Sequence, residues 1–236
     1  MSTHYMILTK PSDKNIVDND ENQIISLSKN ELCFILPKNL SSCYLDNGLF
    51  EAPLIEWSKQ FCSKNKITLD IGSHTGTYGI SLSKNSKEVY CFEPQKMTYY
   101  ALCGSVALSN LKNIKCLQLG LGSSEQVGKN KLKIVSNDGG GSSLHATTFL
   151  NEEEIEIVTL DSLLIDNIGF IKMDVEDNEE YVIRGGIETL RRSNMPTILF
   201  ECNDKNKNSE LFDLLISIGY KIINVSSYNN MYLACL

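Results

Sequence analysis

The chain contains the stretch Thr68-Leu69-Asp70-Ile71-Gly72-Ser73-His74-Thr75-Gly76, in which an apolar strand runs into a glycine turn that opens a helix. Gly72 and Gly76 would let the backbone approach a ligand where a side chain would block it, and Asp70 would place a carboxylate close to that ligand. A carboxylate there suits a cationic amine. With Ser73 and His74 between the glycines, the pattern predicts a nucleotide-binding turn.

The turn differs from the dinucleotide-binding fingerprint GxGxxG. That fingerprint needs a glycine at position 74, where the backbone approaches a pyrophosphate, and this chain has His74. A pyrophosphate therefore fits poorly at this turn.

A second acidic residue follows the next apolar strand, in Val89-Tyr90-Cys91-Phe92-Glu93-Pro94. In Rossmann-like sites an acid about 20 positions after the glycine turn accepts hydrogen bonds from ribose hydroxyls, and Glu93 has that placement. Pro94 favours the first position of a helix, so Glu93 could also simply precede a helix. We assign both residues to cofactor binding, together with Gly120 after the third strand.

Strands and helices alternate along the chain from the turn onward, which predicts a parallel sheet. The predicted order is strand 67–71, helix 76–83, strand 88–92, helix 95–109, strand 114–119, strand 155–158, a helix from 160, strand 170–173, helix 179–191, strand 197–200 and helix 209–217. An antiparallel hairpin is predicted from 220–225 and 231–235 around Asn229-Asn230.

Two segments interrupt or precede this alternation. Residues 121–154 are rich in Gly, Ser, Asn and Lys with one β-like patch at 132–135, which predicts an insertion over the site. Residues 1–50 have apolar patches at 24–27 and 32–36, and we expect a β-hairpin extension there. A helix over 53–61 should connect it to the α/β domain, residues 51–236.

A third acidic group follows the strand in Phe170-Ile171-Lys172-Met173-Asp174-Val175-Glu176-Asp177. Ligands bind at the carboxyl ends of parallel strands, so Asp174 should face the reacting centre, where it could hold an amino group or take a proton from a hydroxyl. Glu201, at the end of the strand 197–200, should reach the same rim. Alternatively, Glu176 and Asp177 only complement the positive end of the next helix.

Other candidates for chemistry come from histidine and from the acidic rim. His74 and His145 are alternative bases, because a neutral imidazole titrates near working pH. Asp174, Glu176 and Glu201 could hold Mg²⁺, but we predict a site without a metal. The run Gly139-Gly140-Gly141-Ser142-Ser143 could be a mobile lid or a plain surface loop.

As a set, these motifs resemble the FkbM-like methyltransferases over about residues 67–202. The resemblance rests on the glycine turn and on Phe92-Glu93-Pro94, Thr159-Leu160-Asp161, Lys172-Met173-Asp174-Val175-Glu176, Arg184-Gly185-Gly186 and Leu199-Phe200-Glu201. The family usually has Ala-Asn where Ser73-His74 stand, and Gly where Asp177 stands.

The resemblance implies a Rossmann-like methyltransferase with S-adenosylmethionine as cofactor and methyl donor, acting on a hydroxyl of a sugar, glycan or specialised metabolite. Asp174, Glu201 and His145 are then the candidate catalytic residues. Two alternatives remain open at this stage: a nicotinamide-dependent oxidoreductase, against which His74 argues, and a non-catalytic nucleotide- or protein-binding module, which would not need Asp174 and Glu201.

The composition limits the partners and the cellular location that we expect for the protein. The net charge of −7 offers no basic field for nucleic acid or anionic lipid, and the apolar runs are too short to span a membrane. The eight cysteines include no CxxC pair and no export signal is visible, so we expect core thiols in a cytoplasmic protein. The acceptor should be a small molecule or glycan; the sequence leaves open whether residues 1–50 form a homodimer surface.

Overall fold

The computed structural model describes residues 5–9, 32–37, 49–204, 208–228 and 230–236. Its strands are β1 (Tyr5–Thr9), β2 (Cys33–Pro37), β3 (Ile67–Ile71), β4 (Glu88–Phe92), β5 (Ile114–Leu117), β6 (Gly120–Leu121), β7 (Gly128–Ile134), β8 (Asn151–Val158), β9 (Ile168–Met173), β10 (Thr197–Glu201), β11 (Lys221–Asn224) and β12 (Met231–Cys235).

The helices of the described residues are short, with one exception of 13 residues. They are α1 (Ala52–Ser58), α2 (Thr77–Leu82), α3 (Lys96–Leu108), α4 (Glu179–Arg184), α5 (Ile187–Arg192) and α6 (Ser209–Ser217). Short 3₁₀ turns follow α1 at Lys59–Phe61 and α2 at Ser83–Asn85, and others lie at Ser124–Gln126 and Asp161–Leu163. Helix α1 with its 3₁₀ turn confirms the helix predicted over 53–61.

A seven-stranded sheet in the order β11-β12-β10-β9-β3-β4-β5 forms the centre of the fold. Strands β10, β9, β3, β4 and β5 are parallel, whereas β12 is antiparallel to both β10 and β11. The predicted Rossmann-like fold, mostly parallel with an antiparallel C-terminal hairpin, is confirmed. Because the strand order reverses at β3, a crevice opens at the carboxyl ends of β3 and β9, where such sheets bind ligands.

Each face of this sheet is covered by helices, since successive strand side chains point to opposite faces. On β9, Phe170 points to the face of the sheet that is covered by α1, α2, α3 and β2. The next residue, Ile171, points to the face that is covered by α4, α5 and α6. Both side chains are at most 2 % exposed. Burial on both faces explains why the central strands are nearly continuous apolar runs.

Strands β6, β7 and β8 form a separate three-stranded sheet, which corrects the prediction of an insertion with one β-like patch. The predicted strand 155–158 is the end of β8, and it pairs with β7 and β6 and not with the central sheet. The Lys and Glu side chains that suggested a polar insertion lie opposite one another in the β7–β8 register, for example Lys131 opposite Glu154. Leu132 and Ile155 are buried on the other face.

The antiparallel pair at the N-terminus joins β1 to β2. The pairing partner of the predicted strand 32–36 is therefore Tyr5–Thr9 and not the patch at 24–27, which lies outside the described residues. Strand β2 is tied to α3, because Cys33 N and Ile35 N each donate a 2.8 Å hydrogen bond, to Ser109 Oγ and Ser105 Oγ respectively. The domain boundary at residue 50 stays a prediction.

Two helices differ from their predicted extent. The helix predicted from Leu160 is only a 3₁₀ turn, which ends where Leu164 adopts a left-handed conformation, φ +50°. The helix predicted over 179–191 is split into α4 and α5 at Gly185-Gly186, where a Cβ on Gly185 would stand 2.0 Å from Gly122 O. Within the described part of the chain, no helix is long and apolar enough to cross a membrane.

Candidate cofactor and acceptor site

The glycine turn after β3 is fixed to both neighbouring strands. Gly72 N and Ser73 N donate hydrogen bonds of 3.0 and 2.9 Å to Phe92 O of β4, and Asp174 N after β9 donates one of 3.0 Å to Ile71 O. Gly72 has a φ of +75°, and a Cβ there would stand 1.7 Å from Asp174 O. The turn thus requires glycine for its conformation and for its close approach to β9.

A cavity of about 380 Å³ opens above this turn, within the size range of small-molecule sites. The central sheet forms its floor and the three-stranded sheet closes one side. Eight of the predicted site residues line it, namely Gly72, Ser73, His74, Glu93, Pro94, Gly120, Asp174 and Glu201. Asp70, Gly76 and His145 are not among its lining residues.

Asp70 and Gly76 support the turn from beneath. The Asp70 side chain is fully buried, and its Oδ2 accepts a 2.8 Å hydrogen bond from Gly79 N in α2. Burial raises the pKa of Asp70, although the Lys172 ammonium opposes the shift. Gly76 has a φ of +87°, and a Cβ there would meet Leu102 at 2.5 Å. Their positions fit packing of α2 against the strand better than direct ligand contact.

His145 lies beside the cavity. Its ring stacks on Tyr181 with 5.7 Å between centroids, and Nε2 lies 3.1 Å from Oδ1 of Asn178. Asn178 lines the cavity and donates to Leu121 O, so His145 supports a buried polar network at the edge of the site.

The Glu93 carboxylate is held by three hydrogen bonds. It accepts hydrogen bonds from His74 N at 2.7 Å, Gln95 N at 2.9 Å and Thr98 Oγ1 at 2.9 Å. Burial raises the pKa of Glu93 to about 7, because it penalises the charged form more than these donors favour it. Oε1 already accepts two of these hydrogen bonds and Oε2 accepts one, so Oε2 keeps a free acceptor site that suits a ribose hydroxyl.

Next to Glu93 the cavity wall is apolar. Leu121, Leu132, Ile155 and Ile157 of the three-stranded sheet line it together with Phe92 of β4, and all of these side chains are buried. An apolar slot next to a buried acid suits a nucleoside, because the slot matches the flat nucleobase and the acid matches the ribose hydroxyls.

The cavity is also lined by the carboxyl groups predicted after β9 and β10. Ligand atoms of Asp174, Glu176 and Glu201 all lie within 4.8 Å of one another. Lys172, which is 5 % exposed, places Nζ 3.3 Å from Asp174 Oδ2 and 3.4 Å from Gly72 O. Its ammonium also lies 5.0 Å from the centre of the Tyr78 ring.

The surroundings of the three acids give them different pKa values. Burial opposes ionisation of Asp174, but Lys172 and a hydrogen bond with Glu201 outweigh it and lower the pKa of Asp174. Burial and the Asp174 charge raise the pKa of Glu201 to about 9. The same two causes raise the pKa of Glu176 to about 7. At neutral pH, Glu201 is thus protonated beside an ionised Asp174.

Glu176 and Asp177 have the left-handed backbone conformation, with φ of +54° and +72°. Such values are uncommon outside glycine and often occur at functional sites. Ser143 Oγ donates a 2.6 Å hydrogen bond to Glu176 O, and Gly141 N donates to the Glu176 carboxylate. The contacts hold this acid against the glycine-rich segment 139–143.

Lys172, Tyr78 and Glu51 are three of the lining residues that we did not predict as functional from the sequence. Lys172 was visible as the one charged residue inside an apolar strand, an arrangement that requires a partner when buried. Tyr78 and Glu51 gave no signal, because their 2.8 Å hydrogen bond joins α2 to the residue before α1. Contacts of this kind depend on the tertiary fold.

Residues 70–222 match the family described as Methyltransferase FkbM domain. A search of curated proteins finds no match. Among solved structures, the chain is similar to a methyltransferase FkbM from Methylobacillus flagellatus KT at 17 % identity and a TM-score of 0.50, covering 81 % of this chain and 46 % of that one. This chain therefore spans about half the length of that protein.

The chain is also similar to two further structures at low identity. A putative rRNA-methylase from Clostridium thermocellum is 10 % identical, with a TM-score of 0.52 and coverage of 78 % of this chain and 92 % of that one. A putative methyltransferase from Streptococcus mutans in complex with SAH is 13 % identical, with a TM-score of 0.49 and coverage of 80 % and 100 %.

The Rossmann-like sheet, the glycine turn and the acid after β4 are features of a nucleotide-binding enzyme, and the family match makes this enzyme a methyltransferase that uses S-adenosylmethionine. The chain belongs to the FkbM methyltransferase family, whose domain covers most of its α/β region. Because the chain belongs to this family, we set aside the two alternatives, an oxidoreductase and a non-catalytic module. The cavity fits the cofactor chemically, because the glycine turn and the buried acid Glu93 both line it next to an apolar slot.

Proposed function

We propose that this methyltransferase transfers the methyl group to a hydroxyl of a sugar, glycan or small metabolite. The observation that carries the proposal is the cluster of Asp174, Glu176 and Glu201 at one end of the cavity. A hydroxyl must lose its proton as its oxygen is methylated, and it needs an acceptor for that proton. A cavity end lined by three carboxyl groups supplies such acceptors.

The cavity residues would hold the donor by its separate parts. Leu132, Ile155 and Ile157 would contact the adenine, and Glu93 would accept a hydrogen bond from the ribose. The glycine turn, residues 72–74, would lie against the methionine part. When bound, the donor supplies an electrophilic methyl group on a positively charged sulfur.

Asp174 and Glu176 have different roles at the acceptor hydroxyl. Asp174 stays ionised beside Lys172 and accepts a hydrogen bond from the hydroxyl or from the amine of the donor, but its lowered pKa makes it a weak proton acceptor. Glu176 has a pKa of about 7, where a general base is most effective at neutral pH. Glu201 keeps its proton and donates a hydrogen bond to the Asp174 carboxylate, which holds that carboxylate in place. His145 has no role in this scheme.

We also propose that the chemistry needs no metal. The three carboxyl groups could approach one cation, yet the Lys172 ammonium already neutralises Asp174, and Glu201 holds a proton. A cation would have to displace both the ammonium and the proton.

A cytoplasmic location stays part of the proposal. It is supported by the cysteines of the described residues, which are all free thiols.

Methyl-labelled S-adenosylmethionine, incubated with the protein and a panel of glycans, nucleotide sugars and polyols, tests the acceptor class. We expect label in an alkali-stable methyl ether, with and without EDTA, and its loss in the Asp174→Asn variant. Label found only in an alkali-labile ester or on nitrogen would contradict hydroxyl methylation. Activity abolished by EDTA and restored by Mg²⁺ would contradict the metal-free scheme.

A further inference from the structure

The glycine-rich segment lies against the cavity; we call residues 138–143 the strap. Residues 138–142 line the cavity, and Gly139 and Gly141 have φ values of +85° and +72°. At its C-terminal end the strap is tied to Glu176 through Ser143 Oγ and Gly141 N. At its N-terminal end it is tied to His74.

His74 connects the strap to the glycine turn through two separate groups. Its backbone N–H donates a 2.7 Å hydrogen bond to Glu93 Oε2, and its ring Nε2 lies 2.7 Å from Asp138 O. A carbonyl oxygen can only accept, so Nε2 carries the proton. Nδ1 is then the acceptor and lies 3.4 Å from Thr75 Oγ1.

The ring is neutral in this setting. Burial lowers the pKa of His74 more than the nearby Asp138 and Asp174 raise it. A neutral ring with its proton on Nε2 is a donor to Asp138 O and makes a poor proton acceptor for catalysis. The geometry thus argues against His74 as a base and in favour of a tether.

We propose that His74 is a positioning residue that latches the strap over the bound methyl donor through its hydrogen bond to Asp138. The inference rests on the proposed location of the donor in this cavity. With both ends tied, the strap blocks the mouth, and the donor or its demethylated product leaves only when a tie opens. The FkbM-like motif usually has Asn at this position. An Asn amide would end near the position of Nδ1 and could not reach Asp138 O.

The test compares His74→Gln with His74→Met. The Gln amide can place a donor near the position of Nε2, whereas Met fills a similar volume without a donor; both must adopt the same left-handed backbone, φ +50°. The probe is S-adenosylhomocysteine (SAH), whose dissociation rate is measured by stopped-flow displacement. We expect Met to raise this rate roughly tenfold, the effect of one lost hydrogen bond, and Gln to stay within about twofold of wild type.

A second variant and a second readout keep the proposal falsifiable if the Met variant unfolds. His74→Asn tolerates the left-handed conformation but lacks the reach, and it should also release SAH faster. Hydrogen exchange at Gly139 to Gly141 should accelerate in the Asn and Met variants even without SAH. Equal dissociation and exchange rates in wild type, Asn and Met variants would overturn the latch. A wild-type protein that binds no SAH would instead refute the proposed donor site, while the exchange measurement would still decide on the latch.

Discussion

A Cβ atom on Gly72 would stand 1.7 Å from the carbonyl oxygen of Asp174, far inside any van der Waals contact. The relationship joins the end of β3 to the end of β9 at the point where the strand order of the sheet reverses. It brings the cofactor turn against the segment that carries the acidic cluster. Both binding and chemistry therefore depend on one close backbone approach.

The Gly72→Ala variant should lose about 3 kcal/mol or more of unfolding free energy, because it adds a clash with backbone to the cost of a left-handed alanine. Gly128→Ala is the matched control, since Gly128 also has a positive φ, +108°, but a Cβ there meets nothing within 4 Å. It should lose roughly 1 to 2 kcal/mol. Chemical denaturation measures both. Equal losses would show that Gly72 is needed only for its φ value.

Replacing Glu93 by Ala should weaken SAH binding by about 1 to 3 kcal/mol, because a charged acceptor is removed from the ribose position. Since the carboxylate also holds His74 N, Gln95 N and Thr98 Oγ1, the variant should melt earlier as well. Calorimetry and thermal melting separate the two effects, with Glu125→Ala at an exposed position as control. A variant that melts early and binds SAH normally would make Glu93 a structural residue only.

Turnover should fall about 10²- to 10⁴-fold in Glu176→Gln if this acid is the base. The base works only when ionised, and burial with the Asp174 charge raises its pKa to about 7, so the wild-type rate should rise with pH through about 7. Glu176→Gln should lose that rise. The measurement uses the acceptor found by methyl transfer, at saturating donor.

Asp174→Asn should also lower turnover by 10²-fold or more, but with a different pH profile. Removal of the Asp174 charge lowers the pKa of Glu176, so the rising limb should move to lower pH. A limb that stays at wild-type pH in Asp174→Asn and in Glu176→Gln alike would assign the base to another residue.

Asp177→Gly should stabilise the protein by about 0.5 to 1 kcal/mol. Asp177 has a φ of +72°, a conformation that costs glycine nothing, and the FkbM-like motif usually has Gly there. Asp177→Ala keeps the strained backbone and should not stabilise. Denaturation midpoints compare the three proteins, and a destabilised Gly variant would show that the Asp177 side chain matters more than its backbone.

The parts of the fold that repeat a simple pattern were predictable from the sequence. Strand β4 and helix α6 have the predicted bounds, because continuous apolar runs and helical periodicity report burial directly. The β6–β7–β8 sheet was missed, since residues 121–154 are rich in Gly, Ser, Asn and Lys and only 132–135 gave a β-like signal. Its charged residues become complementary only when paired with β8.

The candidate site shows the same division. Strand ends identified Glu93 and Asp174 as lining residues, because topology alone places them at one edge. The Asp70 side chain points inward to Gly79, which depends on side-chain direction. His74 contacts Asp138, 64 residues away, which depends on the path of the loop. Neither can be derived from spacing along the chain.

Calorimetric titration of the wild-type protein with SAH, S-adenosylmethionine and NAD tests the central claim most directly. The account predicts micromolar dissociation constants for SAH and S-adenosylmethionine, about −8 kcal/mol, and no competition by NAD. Tight binding of NAD with no heat from either S-adenosyl compound would contradict it.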